Sequence, residues 1–403
     1  MLRVPWFIGL RYTGSRSGNG FLSFISKVSL FGLALGVLAL TVVVSVMNGF
    51  DTQLKYRILG AVPHLTVDIQ DYPEMIDYIL ESPAVSAIAP FQQRQGMVIG
   101  QSSTRLVAVY GVDPAADARV SIIDQHIVRG ALADLLPGTN RAIIGRPLGY
   151  QLGLREGDEF TLVIPEPGKT GHSISPKLAR IYVAGFFELD SELDYELILL
   201  PLADLQAISG DHAAQLRVTL SDVFEAPRLA QQIKNKYPGQ GVLDWTADYG
   251  DFFKTVKMEK VMMFLLLAMI VAIAAFNIVS GLSMMVKEKS SDIAVLRTLG
   301  LSSRQVMLVF MIHGSLVGAA GVVLGVLLGV PLAYHIPEVV GFFESLFGGR
   351  VLAGTYFSQV PTDVRWFDIG VIMLVSLGIT VMATLYPAYR ASRLQPAQVL
   401  RHE

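Results

Sequence analysis

Glu188, Asp190, Glu192 and Asp194 alternate along one short stretch, and closely spaced carboxylates are the raw material of general acid–base chemistry. Alternation puts them on one side of a strand end or turn, where they read as a solvated acidic edge. Pro167, Gly168, Lys169 and Thr170 have the form of the end of a phosphate-binding loop, in which backbone N–H groups and a lysine cradle phosphates. Such a loop needs a glycine five residues before its second glycine, and Val163 stands there inside an apolar run. No His-Glu-x-x-His, Gly-x-Ser-x-Gly or Ser-x-x-Lys occurs, and the seven histidines lack ligand spacing. With no cysteine, disulfides, thiolate metal sites and thiol catalysis are excluded together. The residues offer no catalytic constellation and no cofactor site.

The elements that hold these residues are unusual in polarity. Of the 403 residues, 52% are hydrophobic and only 16% charged, and the mean hydropathy of +0.48 is too high for a soluble chain of this length. Four apolar runs are long enough to cross a bilayer, which takes about 20 residues: 28–47, 261–286, 306–334 and 367–386. Residues 1–27, with Arg3, Arg11, Arg16 and Lys27 and no acid among apolar side chains, form an interfacial segment before the first span. Pro331 is expected to end or kink the third span. The expected class is therefore an integral membrane protein of four transmembrane α-helices, with a large α+β domain at 48–260 inserted between the first and second.

Lys/Arg near span ends sets the orientation. Lys287, Lys289, Arg297 and Arg304 lie in 287–305, and Arg390, Arg393 and Arg401 lie in the tail 387–403. The loop 335–366 has only Arg350 and Arg365 against Glu338, Glu344 and Asp363. Both termini and the segment 287–305 are therefore expected in the cytoplasm, and the large domain outside. The spans contain one clear ionisable side chain, His313, read as a histidine hydrogen-bonded inside the bundle. A proton relay or ion path would need more such groups. Gly32 and Gly36, and Gly314, Gly318, Gly321, Gly325 and Gly329, recur three or four apart and predict close helix packing.

Within the inserted domain, Leu65, Val67 and Ile69 alternate as a strand, and residues 73–81 read as a helix with Pro73 at its first position. Residues 87–99 and 104–112 form a hairpin about 100–103, and 142–144 and 159–164 are strands flanking a short helix. Strands at 180–187 and 196–200 and a helix at 224–236 follow. The loop 165–176, PEPGKTGHSISP, is followed by Lys177 and Arg180 and is either a plain hairpin tip or a cationic, proline-stiffened projection for a protein partner.

The segment 287–305 stands between the second and third spans. Ile293, Leu296 and Leu299 recur at helical spacing, Ser291 can cap the first turn, and Gly300 stands where the helix stops. Ser302 and Gln305 match a capping box for the next helix. A short amphipathic helix between two spans is the expectation.

Seven stretches then carry a resemblance: FIGLRY at 7–12, SVMNGF at 45–50, ILGAVPH at 58–64, AIIGRPLGYQLGLREGD at 142–158, AAFNIVSGL at 274–282, DIAVLRTLG at 292–300 and YPAYRASRLQPAQVLR at 386–401. In this order they resemble the lipoprotein-releasing ABC permease subunits of the LolC/LolE type, within the MacB/FtsX-like permease superfamily. LDYELILLPLADLQ at 193–206 resembles the LolE form more than the LolC form. The resemblance implies pairing with a second permease subunit and with two copies of a LolD-like cytoplasmic ATPase, which uses the ATP and Mg. It makes the helix near 291–299 the coupling element on that ATPase, with Asp292, Ile293, Leu296, Arg297, Leu299 and Gly300 as its residues. It implies transfer of triacylated lipoproteins from the inner membrane to a LolA-like periplasmic carrier. Met47, Phe50, Phe264 and Phe276 become candidate positions of the acyl cavity, and Pro165, Lys169, Pro176, Lys177 and Arg180 a carrier-facing loop. Permeases for efflux or envelope signalling share this architecture and are the alternative.

Overall fold

The structure, a computed structural model, describes residues 3–14, 20–68, 74–167, 174–212, 215–347 and 360–395. Arg16, Ile69, Pro73, Lys169, Arg350 and Arg401, used in the readings above, lie outside these. The chain divides into two compact units, residues 52–254 with 354–358, and the remainder.

The chain opens with α1 (Arg3–Gly14) and α2 (Gly20–Leu54), and a π-helical turn, Lys55–Leu59, follows directly. Then come β1 (Leu65–Asp68), α3 (Met75–Leu80), β2 (Val85–Ile99), β3 (Thr104–Val112), α4 (Pro114–Asp117), β4 (Ile127–Arg129), β5 (Arg141–Gly145) and α5 (Arg146–Leu152). Next are β6 (Glu159–Pro167), β7 (Ile174–Phe187), β8 (Leu197–Pro201), α6 (Leu202–Ser209), β9 (Gln215–Leu220), α7 (Ala226–Lys236) and β10 (Val242–Asp244). The chain closes with α8 (Thr246–Glu288), α9 (Ser290–Thr298), α10 (Ser303–Phe347) and α11 (Trp366–Ser392).

The α+β unit is built on one ten-stranded mixed sheet in the order β10-β1-β9-β2-β3-β8-β5-β7-β4, with β6 pairing β2 and β7. Parallel pairs β3–β8 and β5–β7 need crossovers, and helices such as α5 lie in them. Both faces of the central strands are covered, so β8 reads as an unbroken apolar run, LILLP, buried throughout. The α7 stripe shows why the covering helices dock. Ala226, Leu229, Ala230 and Ile233 recur at i, i+3, i+4 and i+7 and are all buried. Each large apolar side chain so buried contributes about 1.5–3 kcal/mol. Short helices are bounded by their backbone chemistry: α5 begins after Gly145 with Pro147 in its first turn and ends at Gly153, whose φ of +71° suits glycine.

One polar pair sits in this core. Arg217 of β9 is fully buried, with Nη1 3.3 Å from Asp117 Oδ1 and Nη2 donating to the Ala61 carbonyl at 2.8 Å. Burial pushes the Asp117 carboxyl up and the Arg217 charge pulls it back.

In the other unit, α2, α8, α10 and α11 are long and apolar enough to cross a membrane. They share a core of Leu33, Val37, Leu40, Val271, Ile278, Phe310, Val322 and Ile372. The third of these helices differs from expectation. Of the two outcomes expected of Pro331, an end or a kink, the end does not occur, because α10 runs on through Pro331 and Pro337 to Phe347. Each proline removes one N–H from the ladder, and a helix this long and apolar tolerates the loss.

Candidate functional site

α9 is held against its neighbours by buried apolar side chains and by the hydrogen bonds of Arg297. Ile293 and Ala294 are buried, Ile293 in the bundle core with Val286, Val306 and Phe310. Arg297 donates through Nη1 to the Leu394 carbonyl and through Nη2 to Ser303 Oγ at 3.2 Å, tying α9 to the ends of α11 and α10. Lys289 Nζ lies 2.9 Å from Asp292 Oδ2, one turn along. Gly300, with φ +101°, makes the stop. The Ser302 amide then donates to Gln305 Oε1 at 2.9 Å while the Gln305 amide donates to Ser302 Oγ at 3.3 Å, a reciprocal box opening α10.

Two sequence expectations for α9 need correction. Ser291 lies inside the helix, which starts at Ser290 after Lys289 and has no side-chain cap. Ile293, Leu296 and Leu299 do not share one buried face. Steps of three fall about 60° short of a full turn each time, so the three side chains fan out. Ile293 is buried, Leu296 is half-buried, and Leu299, past the helix end, is 76% exposed beside exposed Val295. α9 thus has an anchored side and an apolar side that no described residue covers.

The glycines of α10 divide between two neighbours. A Cβ on Gly314 or Gly318 would overlap Thr384 or Thr380 of α11, whereas one on Gly325 would come within 2.7 Å of Val37 Cβ and the Ala34 carbonyl oxygen of α2. Gly321 and Gly329 meet α2 at Leu33 and Thr41. In α2, Gly36 makes ordinary contact with Val271 at 3.5 Å, and Gly32 faces open space apart from Asn277 at 4.0 Å. His313 is buried beside a cavity of about 20 Å³ lined also by Ser26, Ser29 and Gly281, with no second titratable group on its wall.

Of the four candidate acyl-cavity residues, Phe264 and Phe276 do not share one face of α8. Met47 and Phe50 are half-buried on α2, Phe264 is half-buried against the bundle core, and Phe276 is 66% exposed. Twelve residues at 100° each put the two phenylalanines about 120° apart around α8.

A polar junction that sequence reasoning missed lies at the ends of three membrane helices. Asn48 of α2, fully buried, donates from Nδ2 to Asp368 Oδ2 of α11 at 2.6 Å and accepts from Lys260 Nζ of α8 on Oδ1. Beside it the Asp363 amide donates to the Ser45 carbonyl at 2.9 Å, and Gly49 lies so close to the Pro361 backbone that a Cβ would overlap it. Polar residues at three span ends were the available signal, but only the fold shows that one asparagine joins them.

In the α+β unit, the stretch 165–176 is less of a loop than expected. β6 and β7 stay paired outward through Pro165↔Pro176 and Glu166↔Ser175 to Pro167↔Ile174, and residues 168–173 lie outside the described residues. Pro165, Pro176, Lys177 and Arg180 are exposed along this ribbon. Prolines fit here because the outer part of a hairpin has no further strand to satisfy.

The acidic edge is also corrected. Asp194 is buried, accepts from the amides of Leu189 at 2.8 Å and Ser191 at 3.2 Å, and is pushed up by burial to about 6. Asp190, at φ +52°, pairs with Arg57 at 3.0 Å, and Glu188 pairs with Arg146 at 2.8 Å. Only Glu192 is a plain solvated acid. Among the described residues no three His, Asp or Glu side chains gather as a metal site, and Val163 lies within β6, where no phosphate loop can form.

Two family descriptions match the chain: the FtsX-like permease C-terminal over residues 264–396 and the MacB-like periplasmic core domain over 26–236. The chain is 36% identical over 415 residues to the lipoprotein-releasing system transmembrane protein LolC of Neisseria meningitidis serogroup B, covering 100% of both chains. It belongs to the LolC/LolE permease family. LolC of Xylella fastidiosa follows at 35% identity over 98% of both chains, and LolE of Haemophilus influenzae at 31% over 99% of both. Relatives of both subunit names match end to end, so the comparison shows the family rather than the subunit type. This LolC/LolE-family chain is a multi-pass membrane protein with a periplasmic-type domain.

Proposed function

We propose that the chain is a permease subunit that extracts mature triacylated lipoproteins from the outer leaflet of the inner membrane and passes them to a LolA-like periplasmic carrier. Its motor is a separate LolD-like ATPase in two copies, and a second permease subunit, LolC-like or LolE-like, completes the assembly. The observation that carries this is α9 itself, anchored by Ile293 and Arg297 and open at Val295 and Leu299, in a sequence that has no Gly-x-x-x-x-Gly-Lys-Ser/Thr motif. ATP and Mg belong to the partner. A push on α9 is delivered to α10 through Ser303 and to the end of α11 through Leu394. The distribution of Lys and Arg supports α9 and both termini in the cytoplasm, and the α+β unit in the periplasm.

The work required is physical. Each methylene taken out of lipid into water costs about 0.8 kcal/mol, so three acyl chains cannot leave the bilayer without an apolar receiver. Because Phe264 and Phe276 point different ways around α8 and Phe276 is exposed, the receiver is assembled with the second subunit. The exposed ribbon with Pro165, Pro176, Lys177 and Arg180 is suited to hold the carrier.

Reconstitution with the partner ATPase, the second subunit and the carrier tests this by following ATP-driven release of a triacylated lipoprotein from proteoliposomes. Release is expected, and Leu299→Asp should abolish it while insertion and thermal stability stay unchanged. An absence of release with the native chain overturns the function, and normal release by Leu299→Asp overturns the role of α9.

A further inference from the structure

The stretch AIIGRPLGYQLGLREGD is only partly core. Ala142, Ile144, Leu148 and Leu152 are buried, while Arg146, Tyr150 and Arg155 point outward. Those three border a pocket of about 850 Å³, whose other walls include Arg129 of β4 and Phe186 of β7. Different elements position each guanidinium. Arg146 starts α5, Arg129 ends β4, and Arg155 begins the turn into β6, where its amide donates to Asp158 Oδ2 at 2.8 Å. Gly149 lets the Phe186 ring lie against α5 as a floor, since a Cβ there would overlap the ring.

Charge on these walls is unbalanced. Arg146 is engaged, with Glu188 at 2.8 Å and the Tyr150 ring 5.7 Å away. Arg129 and Arg155 are exposed and form no ion pair among the described residues, and neither does Glu156, the acid on the wall. Two uncommitted guanidinium groups therefore face one uncommitted carboxylate. β4 is also the last strand of the sheet order, so among the described residues one of its sides has no strand partner.

From this we infer that the pocket beside β4 is a docking site for an extended acidic polypeptide segment of a partner. The segment would lie along the free side of β4 with its carboxylates on Arg129 and Arg155. The Glu188–Arg146 contact already displays the carboxylate–guanidinium pairing the site would repeat. An open strand side supplies backbone hydrogen bonds that a peptide can use and a lipid cannot. The apolar wall is limited to Val128, Leu154 and Phe186, too little to receive acyl chains.

The test uses the purified full chain in detergent and fluorescein-labelled peptides of alternating Glu and Thr or of alternating Gln and Thr, read by fluorescence anisotropy. The Glu–Thr peptide should bind, weaken with salt, and lose about tenfold in affinity with Arg129→Glu and again with Arg155→Glu. Arg105→Glu, on the exposed end of β3, should change nothing. No binding to the native chain, equal binding of the Gln–Thr peptide, or indifference to both reversals overturns the inference. Binding of soluble short-chain phosphatidylglycerol in place of the peptide, with the same dependence on Arg129 and Arg155, overturns it too and makes the pocket a lipid-headgroup site.

Discussion

Asn48 on the first membrane helix donates a 2.6 Å hydrogen bond to Asp368 on the fourth, and the same side chain accepts from Lys260 on the second. An amide can do both at once because it carries a donor and an acceptor on one planar group. Asn48→Leu keeps the volume and removes both functions, leaving Asp368 and Lys260 without this partner. A loss of about 1–3 kcal/mol is expected, seen as a lower melting temperature in detergent. Adding Asp368→Leu to Asn48→Leu should cost less than the sum of the two single changes, since the bond can be lost only once. Strict additivity would mean the two residues are not coupled.

Gly318 packs against Thr380, which cannot swing aside freely because its Oγ1 donates to the Ser376 carbonyl at 2.8 Å in a buried setting. Gly318→Ala should therefore lower the melting temperature, although alanine is the better helix former by about 1 kcal/mol. Gly378 of α11 has nothing within 4 Å of its would-be Cβ. Gly378→Ala should be neutral or stabilising, and equal behaviour of the two variants would refute the close contact.

His64 lies in the α+β unit with Nε2 donating to the Leu59 carbonyl at 3.0 Å and Nδ1 accepting from the Leu220 amide at 3.0 Å. Burial first, and the Arg217 charge second, lower it to about 4. The unfolded chain takes up this proton near pH 6.5 while the folded chain refuses it until about 4, so stability should fall as pH drops through that window. The full effect is about 3 kcal/mol. Asp194, raised to about 6, acts in the opposite sense, because the folded state holds its proton where the unfolded state has released it. Denaturant melts of the native chain and of His64→Gln across pH 4–7 separate the two. The difference between them should shrink as pH falls, and a constant difference would rule out the neutral buried imidazole.

Four apolar runs, the capping box of Ser302 and Gln305 and most strands of the α+β unit were legible because each is written in neighbouring residues. Periodicity, caps and hydrocarbon-length runs are local quantities. The errors also have local causes. Ser291 looked like a cap because serine is a good one, but the helix had already begun at Ser290. Pro331 suggested a stop or a kink, and the stop is absent, since α10 continues past it to Phe347. Asp194 looked solvated because alternation places it with Asp190 and Glu192, whereas its carboxylate is turned in to the amides of Leu189 and Ser191.

By itself the sequence determined that this chain spans a membrane and carries a large mixed domain, since composition and spacing are enough for that. Only the tertiary structure decided which residues far apart in the chain meet: Asn48 bonded to Asp368, Arg217 paired with Asp117, and Arg129 beside Arg155 on one pocket wall. Such meetings depend on strand order and helix crossings, and these are settled by packing of the whole chain. No short window of residues contains that information.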